Sequence, residues 1–242
     1  MNYQIIEVKE QLLADNDRTA ASTRRQLSES GVFLVNLMGS PGAGKTSSLL
    51  QLISRLKDEL RVGVMEADVD SDVDAKAVSA AGAKVIQLHT GGLCHMDAGM
   101  TAQGLEALGL NLPGSQGIGT SRETGGGGAS DFDLIFLENV GNLVCPAEFD
   151  VGADLRMMIL SVPEGDDKPL KYPLMFTVSD VMLVNKIDTA PIFDFDLEAA
   201  SRRALALNPK LKIYPVSAKT GEGFDAIADL IRALCRKRRP KR

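Results

Sequence analysis

The sequence predicts an α/β protein: a mainly parallel, doubly wound sheet flanked by helices, with a helical extension at the N terminus. Three observations predict it. Short apolar runs of strand length alternate with stretches of helical periodicity along the 242 residues. The first of these runs is followed at once by a glycine-rich loop and then a helical pattern. Later runs end in carboxylates, at Asp68, Glu138 and Asp188, at the edge where an open parallel sheet gathers its ligands.

Taken in order, residues 7–30 read as a helix whose Val8, Leu12, Ala20 and Leu27 can share one face, stopped by Ser28-Glu29-Ser30-Gly31. The run Val32-Phe33-Leu34-Val35-Asn36-Leu37-Met38 is a buried strand. The helix after the glycine-rich loop carries Leu49, Leu50, Leu52, Ile53 and Leu56 at helical spacing. Strands follow at 61–68 and 84–89, separated by a helix over 75–81 that Gly82 closes. The segment Thr90-Gly91-Gly92-Leu93-Cys94-His95-Met96-Asp97-Ala98 opens a helix running to about residue 108. Residues 113–130, with Gly125-Gly126-Gly127-Gly128, read as a flexible insertion without chemistry. Strands at 133–138, 181–188 and 212–216, a helix over 196–207 and a last helix from Gly223 to about Cys235 complete the list. The chain thus divides into an N-terminal extension (1–30), one domain (31–235) and a basic tail (236–242).

Composition narrows the function classes. Net charge is −5, and the tail carries six of the 27 cations, which leaves the body at −11. An acidic body argues against nucleic acid as partner, and the tail reads as a solvated end that places cations at a helix C terminus. No apolar run approaches the roughly 20 residues needed to span a bilayer, and the first residues lack the layout of a signal peptide, so a cytoplasmic location is expected. Three cysteines, Cys94, Cys145 and Cys235, do not make a disulfide framework.

The glycine-rich loop is Gly39-Ser40-Pro41-Gly42-Ala43-Gly44-Lys45-Thr46, the G-x-x-x-x-G-K-T spacing in strand–loop–helix context. Glycines let backbone N–H groups turn inward around a phosphate, and the new helix points its positive end at the same anion. Gly39, Gly42, Ala43, Gly44, Lys45, Thr46 and Ser47 are therefore candidate phosphate-binding residues, with Lys45 reaching the β/γ-phosphates and Thr46 offering its hydroxyl to Mg²⁺. Asn185-Lys186-Ile187-Asp188 ends a later strand. A carboxylate there accepts both N1–H and the exocyclic amine of guanine, a fit adenine lacks. Asn185 can meet the Hoogsteen side of the purine and the Lys186 stem can cover the ring. Ser217-Ala218-Lys219, after the next strand, can bring a backbone N–H to O6. GTP is thus favoured over ATP. In Glu138-Asn139-Val140-Gly141, Glu138 would hold Mg²⁺ through water and the Gly141 N–H would meet the γ-phosphate. Asp68 is a second carboxylate at the same edge, for Mg²⁺ or the attacking water; Asp70 and Asp72 read as solvated. Lys45, Asp68 and Glu138 are the candidate catalytic residues, and slow intrinsic hydrolysis is expected because no positioned Gln or arginine finger is evident.

Cys94-His95 and Cys145-Pro146 form a second constellation. Both segments leave the same sheet edge, and thiolate plus imidazole favours Zn²⁺ or Ni²⁺ over Mg²⁺. Three ligands suit a site shared in a symmetric dimer or an open delivery site. Two small buried residues and a helix-capping His is the alternative. Cys235, with Ile227, Leu230, Ile231 and Leu234, reads as core, and His89 as a strand end.

With these residues in place, the chain resembles the HypB family, the nickel-incorporation GTPases of [NiFe]-hydrogenase maturation. The matching blocks are 39–46, Glu66-Ala67-Asp68, TGGLCHMDA at 90–98, ENVGNLVCP at 138–146, VPEGDDKPLKYP at 162–173 and 185–188. The resemblance implies the signal-recognition/MinD-like branch of P-loop NTPases, GTP-dependent dimerisation, and a metal site between protomers built from Cys94, His95 and Cys145. It also implies a HypA-type metallochaperone partner and a hydrogenase large-subunit precursor as target. Lys168 and Lys171 are candidates for contacts across the dimer. The Cys-x-x-Cys-Gly-Cys motif and His-rich tract of some members are missing, so no nickel-storage role is expected. The rival readings are a urease-type nickel-insertion GTPase, whose Cys/His motif differs, and a chaperone for a B12-dependent mutase, which needs no Cys-His…Cys set.

Overall fold

A computed structural model describes residues 8–68, 73–110 and 131–238 of the chain. Seven strands, β1 (Phe33–Gly39), β2 (Val62–Asp68), β3 (Lys84–His89), β4 (Leu134–Glu138), β5 (Leu155–Ser161), β6 (Val181–Asn185) and β7 (Lys212–Pro215), form one sheet in the order β3-β2-β4-β1-β5-β6-β7. Every pairing is parallel. All the C-terminal strand ends therefore lie on one edge. The reversal of strand order on either side of β1 makes its end the natural binding crevice.

The helices are α1 (Val8–Glu29), α2 (Lys45–Leu56), α3 (Val73–Ala80), α4 (Ala98–Leu108), α5 (Cys145–Glu148), α6 (Lys168–Lys171), α7 (Pro173–Val178), α8 (Leu197–Leu207) and α9 (Phe224–Arg238). On one face of the sheet, Phe33, Val35 and Leu37 pack with Leu49, Leu52, Ile53 and Leu56 of α2 and with Phe224, Ile227 and Ile231 of α9. On the other face, Leu34 packs with Leu27 of α1 and Leu105 of α4, and Met38 with Met175 and Phe176 of α7. Burying one such leucine contributes about 2 kcal/mol. Cys235 belongs to the first of these cores.

The structure departs from the sequence expectations at several places, the short helices α5 and α7 among them. A strand, β5, occupies 155–161, where the sequence pattern predicts no element. Its Met157-Met158-Ile159-Leu160 lies at the sheet centre and is buried on both faces, so it shows neither alternation nor rich β-branching. On α1 the packed face is Ala20, Thr23 and Leu27, whereas Leu12 is 59% exposed. The last helix runs on to Arg238, so three residues assigned to the tail are helical, and the Arg238 guanidinium bonds the Asp154 carboxylate at 2.7 Å. The charged segment before Tyr172 forms α6, where Lys171 pairs with Asp167 and Lys168 lies over the Tyr172 ring. The insertion at 113–130 lies outside the described residues.

Candidate functional site

The loop after β1 is built for an anion. Gly42 and Gly44 take positive φ (75° and 95°), and Gly44 stands directly ahead of the first residue of α2 with no side chain capping the helix. A Cβ at Gly44 would lie 2.4 Å from the Asn185 amide nitrogen, whereas Gly42 faces open space. The first N–H groups of α2 thus have no side-chain cap, and a glycine-rich loop ahead of an uncapped helix start fits a phosphate group. Lys45 is largely buried, its Nζ 3.4 Å from the Ser40 carbonyl. Ser47 is exposed one turn position beyond Thr46. The Thr46 hydroxyl donates to Glu138 Oε1 at 2.9 Å across β1 and β4. A hydroxyl and a carboxylate at this separation beside a phosphate cradle suit a hard divalent cation such as Mg²⁺. Gly141 abuts the same loop: a Cβ there would stand 2.9 Å from the Pro41 nitrogen. Asp68 ends β2 and pairs with His89 of β3, but its side chain, like Asp70 and Asp72, lies outside the described residues.

On the base side, Asn185 is braced by backbone on both sides. Its amide donates to the Ala43 carbonyl at 2.9 Å and its oxygen accepts from the Ala218 N–H at 3.0 Å. At 1% exposure it is a strut joining the phosphate loop to the Ser217-Ala218-Lys219 loop. The Ala218 N–H is correspondingly engaged by protein rather than presented outward. Lys186 adopts φ 64°, and its Nζ donates to the Gly42 carbonyl at 2.7 Å, laying its stem over the space between the loops. The Asp188 carboxylate is exposed and held by the Ser217 hydroxyl at 2.6 Å; Lys219 is exposed beside it. Asp188 therefore keeps an acceptor edge oriented by Ser217, as recognition of a guanine edge requires.

The second constellation assembles on the adjoining loops. The turns after β3 and β4 flank the end of β2 and bring Cys94 Sγ within 2.8 Å of Cys145 Sγ, with His95 Nδ1 at 3.8 Å from Cys94 Sγ. One ligand atom from each of the three lies within 4.8 Å of the others. The Cys-His pair sits in the loop ahead of α4 rather than in its first turn. The helix cap is Asp97, whose carboxylate accepts from the Met100 N–H, so the helix-capping role imagined for His95 is filled by another residue. Cys94 is exposed, and Cys145 and His95 are half-buried, which leaves the donor set open on one side. Burial lowers the His95 pKa against the opposing pull of Asp97 and Glu148, favouring the neutral imidazole that binds metals. The hydrogen bond with Cys94, together with burial, raises the Cys145 thiol pKa. Two thiols and an imidazole fit Ni²⁺ or Zn²⁺. His89 ends β3, exposed and outside this group.

Several residues that shape the site carried no sequence signal. The His95 ring stacks on Phe149 at 4.0 Å. Asn16 of α1 donates to the Asp150 carbonyl and accepts from the Ala98 N–H, stapling both metal-side loops. Asn139, fully buried, accepts from the Met96 N–H and donates to Asn36. Asn142 donates to Cys145 Sγ at 3.6 Å. Only their placement within the ENVGNLVCP block hinted at Asn139 and Asn142.

Comparison with known proteins gives this geometry a family. The family model for the CobW/HypB/UreG nucleotide-binding domain matches residues 5–215. The hydrogenase maturation factor HypB of Rhizobium leguminosarum bv. viciae is 44% identical over 92% of this chain and 68% of its own length. A probable HypB of Methanocaldococcus jannaschii is 35% identical over 94% of both chains. Among solved structures, HypB from Helicobacter pylori in complex with nickel superposes with a TM-score of 0.78 at 30% identity, over 92% of this chain and 96% of that one. A P-loop nucleotide site and a two-thiol, one-imidazole cluster on a common parallel-sheet edge, together with these matches, place the chain in the HypB family of hydrogenase maturation factors, within the CobW/HypB/UreG nucleotide-binding proteins.

Proposed function

We propose that the protein is a GTP-hydrolysing metallochaperone of the cytoplasm that carries nickel, or zinc in its place, to the [NiFe]-hydrogenase large-subunit precursor. In this reading Gly39, Gly42, Ala43, Gly44, Lys45, Thr46, Ser47 and Gly141 hold the phosphates. Lys186, Asp188, Ser217 and Lys219 frame the guanine, with Asn185 and Ala218 bracing it. Thr46, Glu138 and Asp68 take Mg²⁺, which neutralises phosphate charge when bound. Lys45, Asp68 and Glu138 serve hydrolysis. Cys94, His95 and Cys145 hold the cargo metal. GTP draws two copies together, and a HypA-type metallochaperone exchanges metal with the dimer.

One observation carries the reading. Only six residues separate Glu138, which bonds Thr46 of the phosphate loop, from Cys145, which lies against Cys94. A loop that rearranges around a γ-phosphate is therefore the loop that presents a metal ligand, and linkage makes nucleotide and metal affinities interdependent. A B12-mutase chaperone gives no reason for the Cys94–His95–Cys145 cluster. The test is Ni²⁺ affinity and size-exclusion profile of the purified chain with GDP and with a non-hydrolysable GTP analogue. Different affinities, and a larger species with the analogue, are expected. Equal affinities and an unchanged elution volume overturn it.

A further inference from the structure

Resting on that reading, we infer that Asn142 is the positioning residue through which the nucleotide state reaches the metal ligand Cys145. Its backbone and side chain bond different sites. The Asn142 N–H donates to the Gly39 carbonyl at 3.1 Å, closing an antiparallel bridge to the first residue of the phosphate loop. Its side-chain oxygen accepts from the Val144 N–H at 2.7 Å, and its Nδ2 donates to Cys145 Sγ at 3.6 Å. One residue thus ties the phosphate loop, by main chain, to a thiol, by side chain.

The other half of the metal cluster is anchored differently. The loop bearing Cys94 and His95 is held by Asn139, which bonds the Met96 N–H and Asn36 in the sheet interior, and by Asn16 through the Ala98 N–H. Asn36 and Asn16 belong to β1 and α1; Asn139 opens the loop after β4 but is fully buried, its side chain held by Asn36 and its N–H by the Leu37 carbonyl of β1. Cys94 and His95 are therefore fixed to the body of the domain. Cys145 is fixed, through Asn142, to the segment against which Gly141 and Pro41 press. A rearrangement of residues 141–145 where they meet Gly39 and Pro41, at the junction of β1 and the phosphate loop, moves Cys145 relative to the Cys94-His95 pair that Asn139 and Asn16 hold. It also alters the N–H···S bond that orients the Cys145 thiolate. Loss of such an outer hydrogen bond typically changes metal affinity 10–100-fold.

The experiment uses the full chain as wild type, Asn142→Ala and Asn142→Asp, titrated with Ni²⁺ alone as metal probe in the presence of Mg²⁺-GDP or a Mg²⁺-bound non-hydrolysable GTP analogue. Asn142 is half-buried, and both variants keep the main-chain bond to Gly39, so folding is retained. Asn142→Asp also keeps the acceptor for the Val144 N–H, while it replaces the donor to sulfur by a carboxylate oxygen. The wild type is expected to show at least a tenfold difference in Ni²⁺ affinity between the two nucleotide states. Both variants are expected to reduce that ratio to within about twofold, with a changed sulfur-to-nickel charge-transfer band and unaltered metal stoichiometry. A wild-type ratio of one overturns the metallochaperone reading, and this inference with it. A wild-type ratio of ten that survives in Asn142→Ala, or in Asn142→Asp alone, overturns the assignment of Asn142 and leaves the function standing.

Discussion

Replacing Asn185 with alanine separates a strut from a base contact. A residue whose only role is to touch a purine leaves the nucleotide-free protein as stable as before. The geometry here demands the opposite. Asn185 is 1% exposed and bonds the Ala43 carbonyl and the Ala218 N–H, at 2.9 and 3.0 Å. Truncation strands both backbone groups. Each unpaired buried group costs about 1–3 kcal/mol. Relaxation toward the open side of the phosphate loop recovers part of this, so the expected loss is about 2–4 kcal/mol in the nucleotide-free state. With a urea slope of about 3 kcal/mol/M, the unfolding midpoint falls by about 1 M. Equilibrium urea denaturation followed by far-UV circular dichroism reads this directly. Coincident wild-type and variant midpoints, with nucleotide affinity alone reduced, would refute the strut.

Four further expectations concern the same frame. Gly141→Ala puts a Cβ 2.9 Å from the Pro41 backbone nitrogen, so the loop after β4 has to lift from the phosphate loop; GTP-analogue affinity falls by about tenfold or more while GDP affinity changes less, read by fluorescent-nucleotide titration. Arg238→Ala leaves the Asp154 carboxylate, 7% exposed, without its guanidinium and costs about 2–4 kcal/mol in thermal or urea unfolding, whereas Arg18→Ala, whose pair with Asp15 is solvent-exposed, costs about 0.5 kcal/mol or less. Burial holds the Asp154 pKa above the ordinary carboxylate value even with Arg238 present. The native state then binds a proton more tightly than the unfolded chain. Asp154 therefore makes stability decline as pH rises from the unfolded pKa through the folded one, a slope that Asp154→Asn abolishes in pH-dependent unfolding. Cys145→Ser keeps the fold but removes one of two thiolates, and Ni²⁺ affinity drops at least 100-fold by competition with a chromogenic chelator; an unchanged affinity places the metal elsewhere.

Most of the elements and the phosphate loop were legible in the chain because they depend on local chemistry. Glycine at positions 42 and 44 answers a backbone requirement for positive φ that a few neighbouring residues impose, and apolar runs separated by helical periodicity announce strands and helices one at a time. Lys45, Thr46 and Asp188 follow from spacing alone. Other features depend on what folding brings together. β5 is hard to recognise from its own residues, since a central strand buried on both faces has no period to display, and its place beside β1 is a property of the sheet. The meeting of Cys94 with Cys145, 51 residues apart, follows from β3 and β4 lying on either side of β2, so that two loops distant in sequence cover one strand end. The amides of Asn16, Asn139, Asn142 and Asn185 acquire their roles in the same way. An asparagine in sequence is only a donor and an acceptor of unassigned direction; its bonds are fixed when the packed chain decides which backbone groups are buried beside it.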